Sequence, residues 1–104
     1  MGGGAAWRGS LPDAATIIRS LAASGARIWF SKHARDEMRK DELNEVDVRE
    51  GLVGCSVVRC ELHGMEWRFT CRSRSRLGAI FEAPVEIVPD GEGEALRVVS
   101  VMTV

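Results

Sequence analysis

A chain of 104 residues, 45% hydrophobic and 28% charged, has room for one domain and one core. A net charge of −1 excludes a general polyanion binder, and no apolar run approaches the ~20 residues that a membrane-spanning helix needs. Three cysteines cannot all pair within the chain, and the opening Met-Gly-Gly-Gly-Ala-Ala-Trp-Arg lacks the apolar centre of a signal peptide. A cytoplasmic protein with reduced thiols is therefore expected.

Residues 1–10 read as a flexible tail and 11–104 as a single domain. Ser10-Leu-Pro-Asp13 opens a first helix, with Ser10 as cap, Pro12 in the first turn and Asp13 at the capping-box position. Ala14, Ile17, Ile18, Leu21 and Ala22 recur at helical spacing, and Gly25 ends the run. Arg27–Phe30 alternates as a short strand or extended connector. Ser31 then caps a second helix, on which Ala34 and Met38 share a face. Asn44 caps a third helix with Asp47 at its capping-box position, and Leu43 and Val48 stand where a hydrophobic staple forms.

The second half is strand-like. In Ser56–Leu62 the residues Val58, Cys60 and Leu62 face one way, and Met65, Trp67, Phe69 and Cys71 alternate with Glu66, Arg68, Thr70 and Arg72. Between these runs, a four-residue loop from His63 to Glu66 sets Glu61 opposite Arg68, whereas a two-residue His63-Gly64 loop sets like charges opposite each other. Opposite charges across a strand pair contribute about 0.2–1 kcal/mol, so the first register is expected. Pro84 marks Ala79–Val88 as an edge strand or a bulge, and Asp90-Gly91 as a turn follows. Ala95–Val104 is apolar on both faces and reads as a central strand. The expected fold is α+β, with the N-terminal helices packed on one face of a three- to four-stranded antiparallel sheet. Ile18, Leu21, Met38, Val48, Leu52, Trp67, Phe69 and Val98 are its expected core.

Charge is unevenly distributed. Residues 59–76 carry Arg59, Arg68, Arg72, Arg74 and Arg76 against Glu61 and Glu66, a local +3. Residues 82–97 carry Glu82, Glu86, Asp90, Glu92 and Glu94 against Arg97, a local −4. One arginine-dense segment in a near-neutral protein suits local contact with a phosphate backbone. A zinc set can be assembled nominally from Cys60-x-x-His63, but no C-x-x-C knuckle accompanies it, and no metal or cofactor is expected.

The stretch Lys32-His33-Ala34-x-x-x-Met38, the Asp47-Val48 helix, Trp67-Arg68-Phe69 and the closing Val-Val-Ser-Val-Met-Thr-Val together resemble a widespread bacterial domain family of undescribed function. That family typically reads K-H-A-x-x-R-M-x-x-R-x-I-[ST]-x-x-x-V before its sheet. The resemblance covers residues 12–104 and extends to toxins of the MqsR, BrnT and RelE type, small ribonucleases built from helices on a curved antiparallel sheet. It implies a RelE-like, toxin-like domain that cleaves or binds RNA, with a small antitoxin protein as partner. The alternative is a non-catalytic interaction module on the same fold. Glu37 and Asp41 stand where the family usually has arginines.

Metal-independent cleavage of RNA needs a base for the 2′-hydroxyl, cations around the phosphate and an acid for the leaving oxygen. His33 at a helix entrance suits the proton transfer, and Arg68 and Arg72 suit the phosphate. Lys32, Arg35, Arg39, Arg59 and Arg74 are the further candidate RNA contacts. Trp67 is a base-stacking candidate only if exposed, since its phase in the strand points to the core.

Overall fold

The computed structural model describes residues 9–104, and most of the expected N-terminal tail lies outside that range. Three helices and six strands follow in the order α1 (Leu11–Ala23), β1 (Ile28–Phe30), α2 (Lys32–Lys40), α3 (Glu45–Val53), β2 (Ser56–His63), β3 (Glu66–Arg74), β4 (Ile80–Asp90), β5 (Gly93–Val98) and β6 (Met102–Thr103). The class is α+β as expected, but the open, mostly antiparallel sheet has six strands where three or four were expected, because the short segments between α1 and α2 and after Val99 add β1 and β6. Its strands run β1-β5-β4-β3-β2, with β6 on β4 and only the β1–β5 pair parallel.

Local chemistry sets the helix ends. The Ser10 hydroxyl accepts from the Asp13 amide at 3.1 Å, and the Asp13 carboxylate accepts from the Ser10 amide at 2.9 Å. Asn44 and Asp47 repeat the reciprocal pair at 2.8 and 3.0 Å, and the Ser31 hydroxyl accepts from the Ala34 amide at 3.0 Å. Each cap satisfies amide donors that a helix leaves open at its start. The donated backbone hydrogen bonds hold the carboxyls of Asp13 and Asp47 below the usual carboxylate range, and Arg76 adds to the effect at Asp47.

Ile18, Ala34, Met38, Val48 and Leu52 from the helices and Phe69, Cys71, Phe81, Val85, Leu96 and Val98 from the strands are buried in one cluster. Leu21 and Trp67 are half-buried against it rather than enclosed. Gly51 is a point of close approach between α3 and the sheet: a Cβ there would lie 2.5 Å from the Phe81 ring, and its carbonyl accepts from Ser73 Oγ at 2.7 Å.

The register of β2 and β3 is the expected one, with Glu61 opposite Arg68, but the loop is shorter than the expected four residues: His63 and Glu66 pair across the strands and a two-residue turn, Gly64-Met65, closes the hairpin with Gly64 at φ 61°. Three details depart from the sequence reading. A register shift between Val57 and Arg59 puts Val57, not Val58, in the buried cluster, and Leu62, near the hairpin end of the outer strand β2, is exposed. Met65 falls in the turn and is also exposed.

The largest correction concerns the final strand. Ala95–Val104 is not continuous: β5 lies between β1 and β4 with Leu96 and Val98 fully buried, the chain leaves the ladder at Val99, and β6 is a short exposed stretch. Ser31 sits at the break: its amide donates to the Val98 carbonyl at 3.0 Å and its hydroxyl donates to the Val99 carbonyl at 2.7 Å. This break also explains how Pro84 sits in an inner strand. The Pro84 carbonyl accepts from the Val99 amide at 2.9 Å, and a strand residue directs its two backbone groups to the same side. The donor that proline lacks would therefore face the interruption between β5 and β6, where no ladder partner is waiting.

Candidate nucleic-acid interface

Strand alternation that sends Phe69, Cys71 and Val85 into the core sends Arg68, Thr70, Arg72, Glu82 and Glu86 to the other side. The pairing register then lines up a row across five strands: Trp29 beside Arg97, Arg97 opposite Glu86, Glu86 next to Arg68, and Arg68 opposite Glu61. A second group, further along the strands, holds Arg59, Arg72 and Glu82.

Each group is built on one buried carboxylate. Glu86 is 3% exposed; it accepts from Arg68 Nε at 2.8 Å and lies 3.7 Å from Arg97 Nη1. Glu82 is 8% exposed; it accepts from Arg72 Nε at 3.0 Å and lies 3.7 Å from Arg59 Nη2. A buried charge must be paired, and here the arginine stems also cover the carboxylates they pair with. Guanidinium has five donors and each carboxylate engages only some of them, so the remaining donors face outward. The side chains of Arg59, Arg72 and Arg97 are each 52% exposed. Counting Arg59, Arg68, Arg72 and Arg97 against Glu61, Glu66, Glu82 and Glu86, the face is balanced, +4 − 4 = 0, so its arginines act as local donors and not through a net positive field.

The structure thus brings Arg59, Arg68 and Arg72 together on one side of the sheet. The candidates on α2 are placed elsewhere. Lys32 pairs with Asp36 at 2.9 Å, Arg39 with the same carboxylate at 3.5 Å, and Arg35 with Glu45 at 3.3 Å. The hydrogen bond from Lys32 holds the Asp36 carboxyl below the usual carboxylate range. His33 is exposed beside Asp36, Glu37, Arg39 and Lys40, and no hydrogen bond or ion pair among the described residues joins it to the sheet arginines. Arg74 donates to the Gly78 carbonyl at 3.0 Å in the β3–β4 connection. Arg76 bridges Asp47 and Glu50 at 3.1 and 3.3 Å, tying that connection to α3.

Four residues of this face were not among the sequence candidates: Trp29, Glu82, Glu86 and Arg97. Their signal is weak in sequence, because the two glutamates and Arg97 lie in the acidic stretch and Trp29 in a strand of only three residues. Trp29 is 47% exposed, with the Arg27 guanidinium 5.0 Å from its ring centroid. His63, at the end of β2, has Nδ1 3.4 Å from Arg68 Nη1.

Cys55 and Cys71 are buried and Cys60 is half-buried. A hydrogen bond with Cys55 and burial push the Cys71 thiol upward, which keeps it protonated and inert. Among the described residues no three histidine, cysteine or carboxylate groups gather as a metal cluster, and no helix is long and apolar enough to cross a membrane. No protein-family model, curated protein or solved structure matches the chain significantly.

Proposed function

We propose that the arginine face of the sheet binds the phosphate backbone of RNA, as the working surface of a toxin-like domain in a bacterial toxin–antitoxin pair. The observation that carries this reading is four arginines gathered on one side of the sheet around two buried glutamates, with Arg68 and Arg72 held by hydrogen bonds and Arg59 and Arg97 in looser ion pairs. An arginine whose orientation is already fixed loses little freedom on meeting a phosphate, and its planar fork matches the oxygens. Three helices with an open, mostly antiparallel sheet also suit the RelE-like architecture that the sequence resemblance implies.

Within this reading, binding is favoured over cleavage. His33 follows Ser31, which is docked at the end of β1, and β1 is three strand spacings from β3, about 14 Å. A base at that remove does not share a phosphate with Arg68 without a substrate that spans the gap.

The test is binding of a labelled RNA oligonucleotide as a function of salt. Arg68→Ala and Arg72→Ala should each weaken binding and flatten the salt dependence by roughly 0.7–0.9 in log–log slope. His33→Ala should leave binding unchanged. Unaltered binding by a folded Arg68→Ala/Arg72→Ala double variant would defeat the proposal. Growth arrest on expression that His33→Ala relieves would restore cleavage as the activity.

A further inference from the structure

The arginine face ends, on the β1 side, in an aromatic ring. Trp29 lies beside Arg97 in the parallel β1–β5 register and is 47% exposed, whereas Trp67 is half-buried against the core on the helical side. A large aromatic side chain left open at the end of a row that carries Arg97 and Arg68 sets a flat apolar surface beside guanidinium groups, the pairing that a nucleotide's base and phosphate call for. One edge of the row therefore offers a π-face and the interior offers guanidinium donors.

We infer that Trp29 stacks a nucleobase, so that the ligand of this face is a single-stranded nucleic acid whose bases are unpaired, not a duplex. The inference rests on the proposed RNA-binding reading and deepens it. Arg27 sits 5.0 Å from the Trp29 ring centroid and lies 3.9 Å from Asp90, which holds the ring from one side. A base enters against the exposed part of the ring, and its backbone runs over Arg97 and on to Arg68, two strand spacings away at about 10 Å. Duplex bases are stacked on each other and have no free π-face to offer, so only the arginines engage a duplex. The combination of aromatic platform and basic track is how sequence-tolerant single-strand binders work.

The experiment compares a fluorescent oligouridylate with an RNA duplex of equal phosphate number, using the full chain and the variants Trp29→Ala, Trp29→Phe and Arg68→Ala, each checked for an unchanged circular-dichroism melt. Trp29→Ala should weaken oligouridylate binding roughly five- to hundredfold, leave its salt slope unchanged and leave duplex binding unchanged. Trp29→Phe, which keeps a ring in the three-residue strand, should recover most of the loss. Arg68→Ala should instead weaken both ligands and flatten the slope. If Trp29→Ala and Trp29→Phe bind oligouridylate as the parent does while Arg68→Ala does not, the stacking role is overturned and the arginine reading stands. Equal weakening of duplex and single strand by Trp29→Ala also overturns stacking. If the parent binds neither ligand, the arginine reading falls and the inference with it.

Discussion

Helix α2 and the outer face of the sheet are both crowded with charge, yet they hold it in opposite ways. On α2, Lys32, Asp36, Glu37, Arg39 and Lys40 form pairs three or four residues apart, on side chains that water reaches from most directions. Such pairs contribute little, because screening and side-chain entropy offset their attraction. On the sheet, the pairs join different strands and centre on carboxylates withdrawn from solvent. The depth of one partner separates a solvated helix surface from an ordered array of donors.

That comparison breaks most visibly at Glu86. Glu86→Ala removes the shared partner of Arg68 and Arg97, and because both arginines keep some solvent the cost should be about 1–3 kcal/mol. In a domain of this size the melting temperature should fall by roughly 5–20 °C, read by circular dichroism. A loss near zero would make the sheet pairs no different from those on α2.

Asp47 comes next, since it combines the α3 capping box with the Arg76 bridge and is 9% exposed. Asp47→Ala should cost about 1 kcal/mol in urea denaturation. Its folded pKa lies below the unfolded value, so its contribution is complete above the unfolded value of ~3.9 and is lost as pH falls through the lower folded one. Acid unfolding below about pH 4 should accordingly lose part of its steepness in Asp47→Asn.

A subtler effect is expected at Glu82, where Glu82→Gln removes one negative charge beside Arg59 and Arg72 while keeping a hydrogen-bond acceptor. RNA binding should tighten by about threefold at low salt, as expected for one unit charge some 6 Å away in water. Weaker binding would mean that anchoring the arginines matters more than the neutralisation they suffer. At the small end, Asp36→Asn should leave both the melting temperature and RNA binding where they were, and a measurable change in either would give α2 a role denied to it above.

What was legible in the sequence was whatever its neighbours along the chain decide. Ser10 with Asp13, Ser31 with Ala34, and Asn44 with Asp47 each lie three residues from their partners, so the helix starts followed from local spacing. The β2–β3 register was legible because a short turn brings Glu61 and Arg68 opposite each other. The division of the last strand was not, because the side chain bonded at the break, Ser31, lies 68 residues upstream of Val99. The site divides along the same line. Arg59, Arg68 and Arg72 stood out as an arginine-dense segment, but the glutamates beside them come from β4, which is next to β3 and two strands from β2. Trp29 joins the face only through a parallel pairing with β5, and that contact has no local trace.

The Ser31 anchor also imposes an order of events. The three antiparallel pairings β2–β3, β3–β4 and β4–β5 link strands consecutive in the chain, and the turns within the first and last span two residues. Contacts of that kind close quickly, whereas β1 and the start of α2 have nothing to dock against until Val98 and Val99 have been synthesised and have found their place. The arginine array is thus expected to assemble first, as a meander, with the N-terminal third swinging in last to carry the tryptophan to its rim. Slow, late protection of the Ser31 amide from hydrogen exchange during refolding, after protection of β3 and β4, is the trace that sequence of events would leave.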